Sequence, residues 1–210
     1  MSAGSPFVIK ICGVTTPEDA RFAAAAGADA VGINLWPRSK RYADDSAARA
    51  VVAALPPGVL KVGVFVNAPA AEVAARVASL GLDRAQLHGD ETPAEFAGLG
   101  ERLIRVVRVR DEASFAAAEG WSPPLYLYDA LVDGFGGAGV TAPWPLIARL
   151  ARRPFLLAGG LTPENVADAI AATRPDGVDV ASGVESAPGR KDPERVRRFI
   201  EAARAAAGKL

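Results

Sequence analysis

The sequence has little cysteine, histidine or methionine, with one residue of each among 210. A single cysteine cannot form an internal disulfide, which favours a reducing compartment and predicts a cytoplasmic protein. Charge of one sign is also missing, because 24 lysine and arginine residues offset 24 aspartate and glutamate residues. This balance argues against nucleic acid as a partner and favours a small molecule.

Long hydrophobic runs are absent as well. No apolar run in the sequence reaches membrane-spanning length, so no membrane partner is expected. The first residues lack the charged region, apolar stretch and cleavage site of a signal peptide. We expect one domain over residues 1–210, with residues 1–6 forming a flexible N-terminus.

Eight short runs rich in β-branched residues or leucine predict eight strands. Their spacing of about 20 to 30 residues is typical of repeated strand-helix units. No Gly-x-Gly-x-x-Gly follows the first run, which argues against the dinucleotide-binding form of an open sheet. We therefore predict an α/β fold, a single-domain (β/α)8 TIM barrel. The predicted strands are Phe7–Ile11, Ala30–Leu35, Leu60–Val66, Arg84–Leu87, Leu103–Val109, Leu125–Tyr128, Pro154–Ala158 and Gly177–Val180.

Helix-start signals stand between these runs. Each is a capping oxygen followed by proline, with an acidic residue in the first turn. A closing helix is predicted near the end of the chain by an apolar stripe at helical spacing. The starts are Thr16-Pro17, Thr92-Pro93, Thr162-Pro163 and Asp192-Pro193, and the stripe is Val196, Phe199, Ile200 and Ala203.

Cys12 follows the first predicted strand, at the edge of a parallel barrel where active sites lie. Strand alternation places Lys10 on the same face as Cys12, and Ile9 and Ile11 on the other. An ammonium near a thiol favours the thiolate, the form that acts as base or nucleophile. The alternative is that Cys12 is buried only for packing.

Asp129 ends the sixth predicted strand on the same face as Leu125 and Leu127, and should point into the barrel mouth. The glycine-rich stretch Asp133–Gly139 is expected to be a mobile loop that can close over a ligand, or else an ordinary long connection. Asp129 alone could equally cap the next helix. Paired with Cys12 across the mouth, it suggests an acid and a base.

Glycines follow the seventh and eighth predicted strands, in the loops that usually bind phosphate in such barrels. Gly159 and Gly160 belong to the first loop, and Ser182 and Gly183 to the second. Glycine lets backbone amides approach an anion closely. These four residues are the predicted phosphate site, although a Gly-Gly pair alone can be a tight turn.

Six motifs follow one another along the chain: Lys10-Ile11-Cys12-Gly13, Ser39-Lys40-Arg41-Tyr42, Gln86-Leu87-His88-Gly89, Asp129 with its glycine loop, Ala158-Gly159-Gly160-Leu161, and residues 177–185. In this order they resemble the motifs of the phosphoribosylanthranilate isomerase family of tryptophan biosynthesis, and the match runs from residue 7 to about residue 200. The resemblance implies an aldose-ketose isomerase without cofactor or metal. Its reaction is the Amadori rearrangement of N-(5-phosphoribosyl)anthranilate to 1-(2-carboxyphenylamino)-1-deoxyribulose 5-phosphate.

The resemblance also implies roles for individual residues. Asp129 would be the general acid that protonates the ring oxygen, and Cys12 the general base that takes the C2 proton. Arg41 would bind the anthranilate carboxylate, unless it is a solvated surface residue. His88 lies near the implied site, and Asp179 would contact ribose hydroxyls or brace the eighth strand. With Lys10, these complete the predicted substrate-binding set.

The chain departs from the family pattern at Ala138 and Ala142-Pro143-Trp144 in the sixth loop, and at Ala181 in the phosphate loop. At Ala181 a frequent serine is replaced, but backbone amides can bind phosphate without that hydroxyl. Two related barrels are weaker alternatives: the histidine-pathway isomerase, which uses paired aspartates, and the indole-forming lyase, which needs catalytic lysines and glutamates. A further alternative is a non-catalytic phosphosugar-binding barrel. The sequence leaves open whether the chain is a monomer or a homodimer.

Overall fold

Eight parallel strands pair in sequence order, and the first also pairs with the eighth, which closes a barrel. This computed structural model describes residues 7–130 and 141–209. The predicted flexible N-terminus and the glycine-rich loop with Ala138 lie outside the described residues. The strands are β1 (Val8–Cys12), β2 (Ala30–Asn34), β3 (Leu60–Phe65), β4 (Arg84–Leu87), β5 (Leu103–Val109), β6 (Leu125–Ala130), β7 (Phe155–Leu157) and β8 (Gly177–Val180). The predicted TIM barrel is therefore confirmed.

Helices connect the strands and cover the outside of the barrel. Short 3-10 helices occupy Ala97–Arg102, Glu112–Ala118 and Ser182–Val184. A small antiparallel hairpin that the sequence did not predict, β9 (Glu185–Ala187) and β10 (Arg190–Lys191), follows the barrel. The α-helices are α1 (Pro17–Ala25), α2 (Asp45–Ala54), α3 (Ala70–Leu80), α4 (Pro93–Phe96), α5 (Trp144–Leu150), α6 (Val166–Thr173) and α7 (Pro193–Ala207). Among the described residues, no helix is long and apolar enough to cross a membrane.

Two apolar layers follow from the alternation along the strands. Inside the barrel lies a small cluster that includes Val106, Leu127 and Leu156. Between barrel and helices lies a larger cluster, to which β6 contributes Tyr126 and Tyr128. The predicted inward face of β6 is thus confirmed, and the closing helix α7 buries its predicted stripe against the barrel.

Three of the four predicted helix starts hold: Thr16, Thr92 and Asp192 are the N-caps of α1, α4 and α7. The start predicted at Thr162-Pro163 is wrong, because α6 begins at Val166. Asn165 accepts a hydrogen bond from the Thr162 N–H at 2.8 Å and donates one to the Gly160 carbonyl at 2.9 Å. These local bonds hold residues 162–165 in a turn that competes with the helix.

Candidate active site

Lys10 and Asp179 meet because β1 and β8 pair with these residues in register. The Lys10 Nζ donates to Asp179 Oδ1 at 2.8 Å, and both side chains are buried. Gly32 of β2 stands opposite Cys12. A Cβ at Gly32 would lie 2.7 Å from Cys12 Sγ and 2.9 Å from Lys10 Nζ. The thiol and the ammonium therefore share one face inside the barrel, as predicted.

The resting protonation of Cys12 differs from what its neighbour Lys10 suggests. Burial and the negative charge of Asp179 raise the pKa of the thiol, and the positive charges of Lys10 and Lys191 lower it by less. The pKa of Cys12 therefore lies above its ordinary value. The thiol therefore rests protonated near neutral pH, because the ammonium of Lys10 does not outweigh burial and the charge of Asp179.

Asp129 lies on the inward face of β6, near its end. Its Oδ1 accepts a hydrogen bond from the Ala130 N–H at 2.8 Å, and its Oδ2 lies 3.4 Å from Nε2 of His88. Nδ1 of His88 lies 3.3 Å from the amide nitrogen of Gln86. The Nε2 contact is a close approach without hydrogen-bond alignment, since this buried nitrogen has no hydrogen-bond partner among the described residues. The structure thus places His88 directly beside Asp129.

The two glycine loops after β7 and β8 touch each other. A Cβ at Gly183 would lie 1.9 Å from the Leu161 carbonyl oxygen, so only glycine permits this approach. Gly159 and Gly160 adopt positive φ angles of 88° and 64°. Within residues 7–130 and 141–209, their backbone N–H groups donate to no protein acceptor. Such amides can receive an anion, and Ser182 directly precedes Gly183 in the second loop.

Gly159 also brings this loop against Asp129. A Cβ there would lie 3.0 Å from Asp129 Oδ1 and 2.6 Å from the Ala130 nitrogen. The turn at residues 162–165, just before α6, stabilises the glycine loop after β7, because the Asn165 side chain donates a hydrogen bond to the Gly160 carbonyl. Asn165 was missed by sequence reasoning, which took Thr162-Pro163 for a helix start.

Arg41 lies in the loop after β2 and leans over Gly13, the residue next to Cys12. A Cβ at Gly13 would lie 2.4 Å from Arg41 Cδ. Nε and Nη2 of Arg41 each donate to the Glu185 carboxylate at 2.7 Å. Lys191 Nζ donates to the same carboxylate at 2.8 Å. The sequence predicted no role for Glu185 or Lys191. Glu185 is the last residue of the motif at residues 177–185, but nothing in the sequence indicates its partners.

These features define a class: a closed (β/α)8 barrel whose mouth gathers a thiol, a carboxyl group, an arginine and two adjoining glycine loops. The sequence profile of the N-(5'-phosphoribosyl)anthranilate (PRA) isomerase family matches residues 9–202. The chain belongs to this family.

Similar proteins agree with this assignment. The N-(5'-phosphoribosyl)anthranilate isomerase of Rubrobacter xylanophilus is 50% identical over 205 residues, covering 93% of this chain and 98% of that protein. That of Acidithiobacillus ferrooxidans is 48% identical over 201 residues, covering 91% and 95%. The crystal structure of phosphoribosyl anthranilate isomerase from Thermotoga maritima has a TM-score of 0.88 and 41% identity, covering 95% of this chain and 99% of that one. A further solved isomerase, in complex with reduced 1-(o-carboxyphenylamino)-1-deoxyribulose 5-phosphate, has a TM-score of 0.83 at 38% identity and the same coverage.

Proposed function

We propose that this chain is a phosphoribosylanthranilate isomerase that catalyses the Amadori rearrangement of N-(5-phosphoribosyl)anthranilate in tryptophan biosynthesis. Family membership along nearly the whole chain is the observation that carries the proposal. Substrate and product are isomers, so the reaction needs no external oxidant or reductant. It needs an acid, a base and sites for two anionic groups of the substrate.

Asp129 would be the general acid. It would protonate the ribose ring oxygen, which opens the ring and leaves a protonated Schiff base between C1 and the anthranilate nitrogen. The bond from the Ala130 N–H supports this role, since it fixes the orientation of the carboxyl group, and His88 lies beside the other carboxyl oxygen. His88 would position Asp129 and the substrate beside it.

Cys12 would be the general base. Its thiolate would take the C2 proton, giving an enolamine; C1 then gains a proton and the 2-hydroxyl loses one, which forms the ketone. The positive Schiff base favours the thiolate during the reaction although the resting thiol is protonated. Lys10, which donates a hydrogen bond to Asp179, would stabilise the thiolate by its positive charge. Asp179 would also be able to contact the substrate hydroxyls.

The two anionic ends of the substrate would bind on opposite sides of this pair. The phosphate would meet the amides of Gly159 and Gly160 together with Ser182 and Gly183. The anthranilate carboxylate, a planar anion suited to a guanidinium, would meet Arg41.

The single cysteine continues to favour a cytoplasmic location. Both a monomer and a homodimer remain compatible with the proposal. The related isomerase of Thermotoga maritima is a dimer that has also been obtained as monomers. Light scattering of the purified protein would decide between the two states.

The test is turnover of freshly made N-(5-phosphoribosyl)anthranilate by the purified protein, followed by fluorescence, with the product identified by mass and chromatography. Enzyme-dependent formation of 1-(2-carboxyphenylamino)-1-deoxyribulose 5-phosphate is the expected result. Absence of turnover, with retained binding of a phosphosugar, would instead indicate the non-catalytic barrel. Turnover of the histidine-pathway aminoaldose alone would indicate the related isomerase.

A further inference from the structure

One edge of the Arg41 guanidinium is already occupied in this structure. Nε and Nη2 face Glu185 Oε1 and Oε2 in a two-point contact, both at 2.7 Å. A guanidinium has more donors than one carboxylate can accept, and its second edge is formed by Nη1 and Nη2. Among the described residues, Nη1 of Arg41 donates to no protein acceptor. That edge can receive a second planar anion.

Glu185 is itself held in place by the hairpin of β9 and β10. Lys191 Nζ donates to Glu185 Oε1 at 2.8 Å and to the Ala181 carbonyl at 3.1 Å, and the Gly189 N–H donates to Oε1 at 3.3 Å. The side chains of Glu185 and Lys191 are 5% and 1% exposed, against 12% for Arg41. The buried carboxylate of Glu185, which accepts several hydrogen bonds, therefore orients the guanidinium of Arg41 at the mouth of the barrel.

The cluster pairs two basic side chains with one carboxylate. Arg41 and Lys191 both contact Glu185. Burial lowers the pKa of Lys191, and the negative charge of Glu185 opposes that shift. Burial alone would raise the pKa of Glu185, but the hydrogen bond from Arg41 and the charge of Lys191 outweigh it and lower that pKa. Glu185 is therefore ionised at neutral pH, as the two-point contact requires.

We propose that Glu185, braced by Lys191, is a positioning residue that turns the Nη1/Nη2 edge of Arg41 toward the carboxylate of the substrate. The inference rests on the proposed function. Because Arg41 packs on Gly13, next to the proposed base, its orientation fixes the anthranilate ring relative to Cys12. Glu185 acts on substrate affinity through Arg41 and touches neither the phosphate nor the reacting carbons.

The experiment compares Glu185→Gln with the unaltered protein on two substrates, N-(5-phosphoribosyl)anthranilate and N-(5-phosphoribosyl)aniline, which lacks the carboxylate. We expect KM for the first to rise about tenfold with little change in kcat, as when one charge-assisted hydrogen bond is weakened. For the aniline compound, kcat/KM should be the same in both proteins. Glu201→Gln is the matched control, because Glu201 bonds Arg197 on the exposed face of α7.

A second comparison uses only the carboxylated substrate, so it can be made even where turnover of the aniline compound is slow. It tests whether Glu185 acts through Arg41. In an Arg41→Lys background the two-point contact is already lost, so adding Glu185→Gln should change KM no further. Should the glutamine variant fail to fold, Glu185→Asp keeps the charge and is expected to raise KM for the carboxylated substrate only.

Equal losses on both substrates, or an undiminished effect in the Arg41→Lys background, would overturn the inference and leave Glu185 a purely structural residue. These results differ from failure of the proposed function, in which the unaltered protein turns over neither substrate.

Discussion

Gly32 is the residue that leaves space for the thiol of Cys12 and the ammonium of Lys10 side by side. A larger side chain there would have to displace one or both groups, because a Cβ would lie 2.7 Å from Cys12 Sγ and 2.9 Å from Lys10 Nζ. A position outside the proposed catalytic set therefore controls where the thiol of Cys12, the proposed base, lies.

Gly32→Ala should displace the thiol and lower kcat by about tenfold or more, because a small misplacement of a catalytic group is costly. KM should change little, since neither anion site is touched. Steady-state kinetics checks this, with Gly98→Ala as control because nothing lies within 4 Å of a Cβ at Gly98. An unchanged kcat in Gly32→Ala would contradict the placement of the base.

Lys10→Met should change the pH dependence of the reaction. It removes the nearest cation and leaves the charge of Asp179, so the pKa of Cys12 should rise further above its ordinary value. A base acts as thiolate, which forms as pH rises through that pKa, so the rising limb of kcat/KM should move to higher pH. The pH profile measures this, with Lys61→Met as control, since Lys61 pairs with Asp83 at the other end of the barrel. A rising limb of kcat/KM at the same pH in Lys10→Met and the unaltered protein would show that Lys10 does not influence the thiol.

At the scale of elements, the loops after β7 and β8 form one unit. The approach of Gly183 to the Leu161 carbonyl joins them, and Asn165 fixes the first loop from the α6 side. The hairpin of β9 and β10 follows directly and carries Glu185 and Lys191. Thus one segment of the chain holds the proposed phosphate site and supports the carboxylate site.

Gly183→Ala should separate the two loops, because the added Cβ would overlap the Leu161 carbonyl oxygen. We expect KM to rise about tenfold, as when one hydrogen bond to the phosphate is lost, with a smaller change in kcat. Inhibition by inorganic phosphate should weaken in parallel. Gly208→Ala is the control, since a Cβ there meets its neighbours at ordinary distances. Unaltered phosphate inhibition would argue against this phosphate site.

The ion pair between Arg105 and Glu91 joins β5 to the loop after β4. It measures 2.8 Å, with side chains 5% and 3% exposed. Glu91→Gln would leave a buried cation without its counter-ion, costing about 3 kcal/mol and lowering Tm by roughly 6–12 °C. Thermal unfolding measures this against Glu112→Gln, which breaks an exposed pair with Arg149 and should cost little. Equal Tm values for the two variants would contradict the role given to the buried pair.

At the scale of the whole molecule, periodicity predicts which side chains face the barrel interior but not which distant residues meet. Alternation placed Lys10 with Cys12, and Leu127 with Asp129, because every strand side chain has only two directions. The bonds from Lys10 to Asp179 and from Arg41 to Glu185 span 169 and 144 residues. They depend on barrel closure and on a hairpin too short to show a periodic pattern.

Cys12 and Asp129 are proposed to act as base and acid on N-(5-phosphoribosyl)anthranilate. The most direct measurement is kcat of Cys12→Ser and Asp129→Asn beside the unaltered protein, with folding checked by circular dichroism. We expect each folded variant to lose on the order of 10²–10⁴-fold in kcat. Turnover at the unaltered rate by either folded variant would contradict it, even with the family assignment intact.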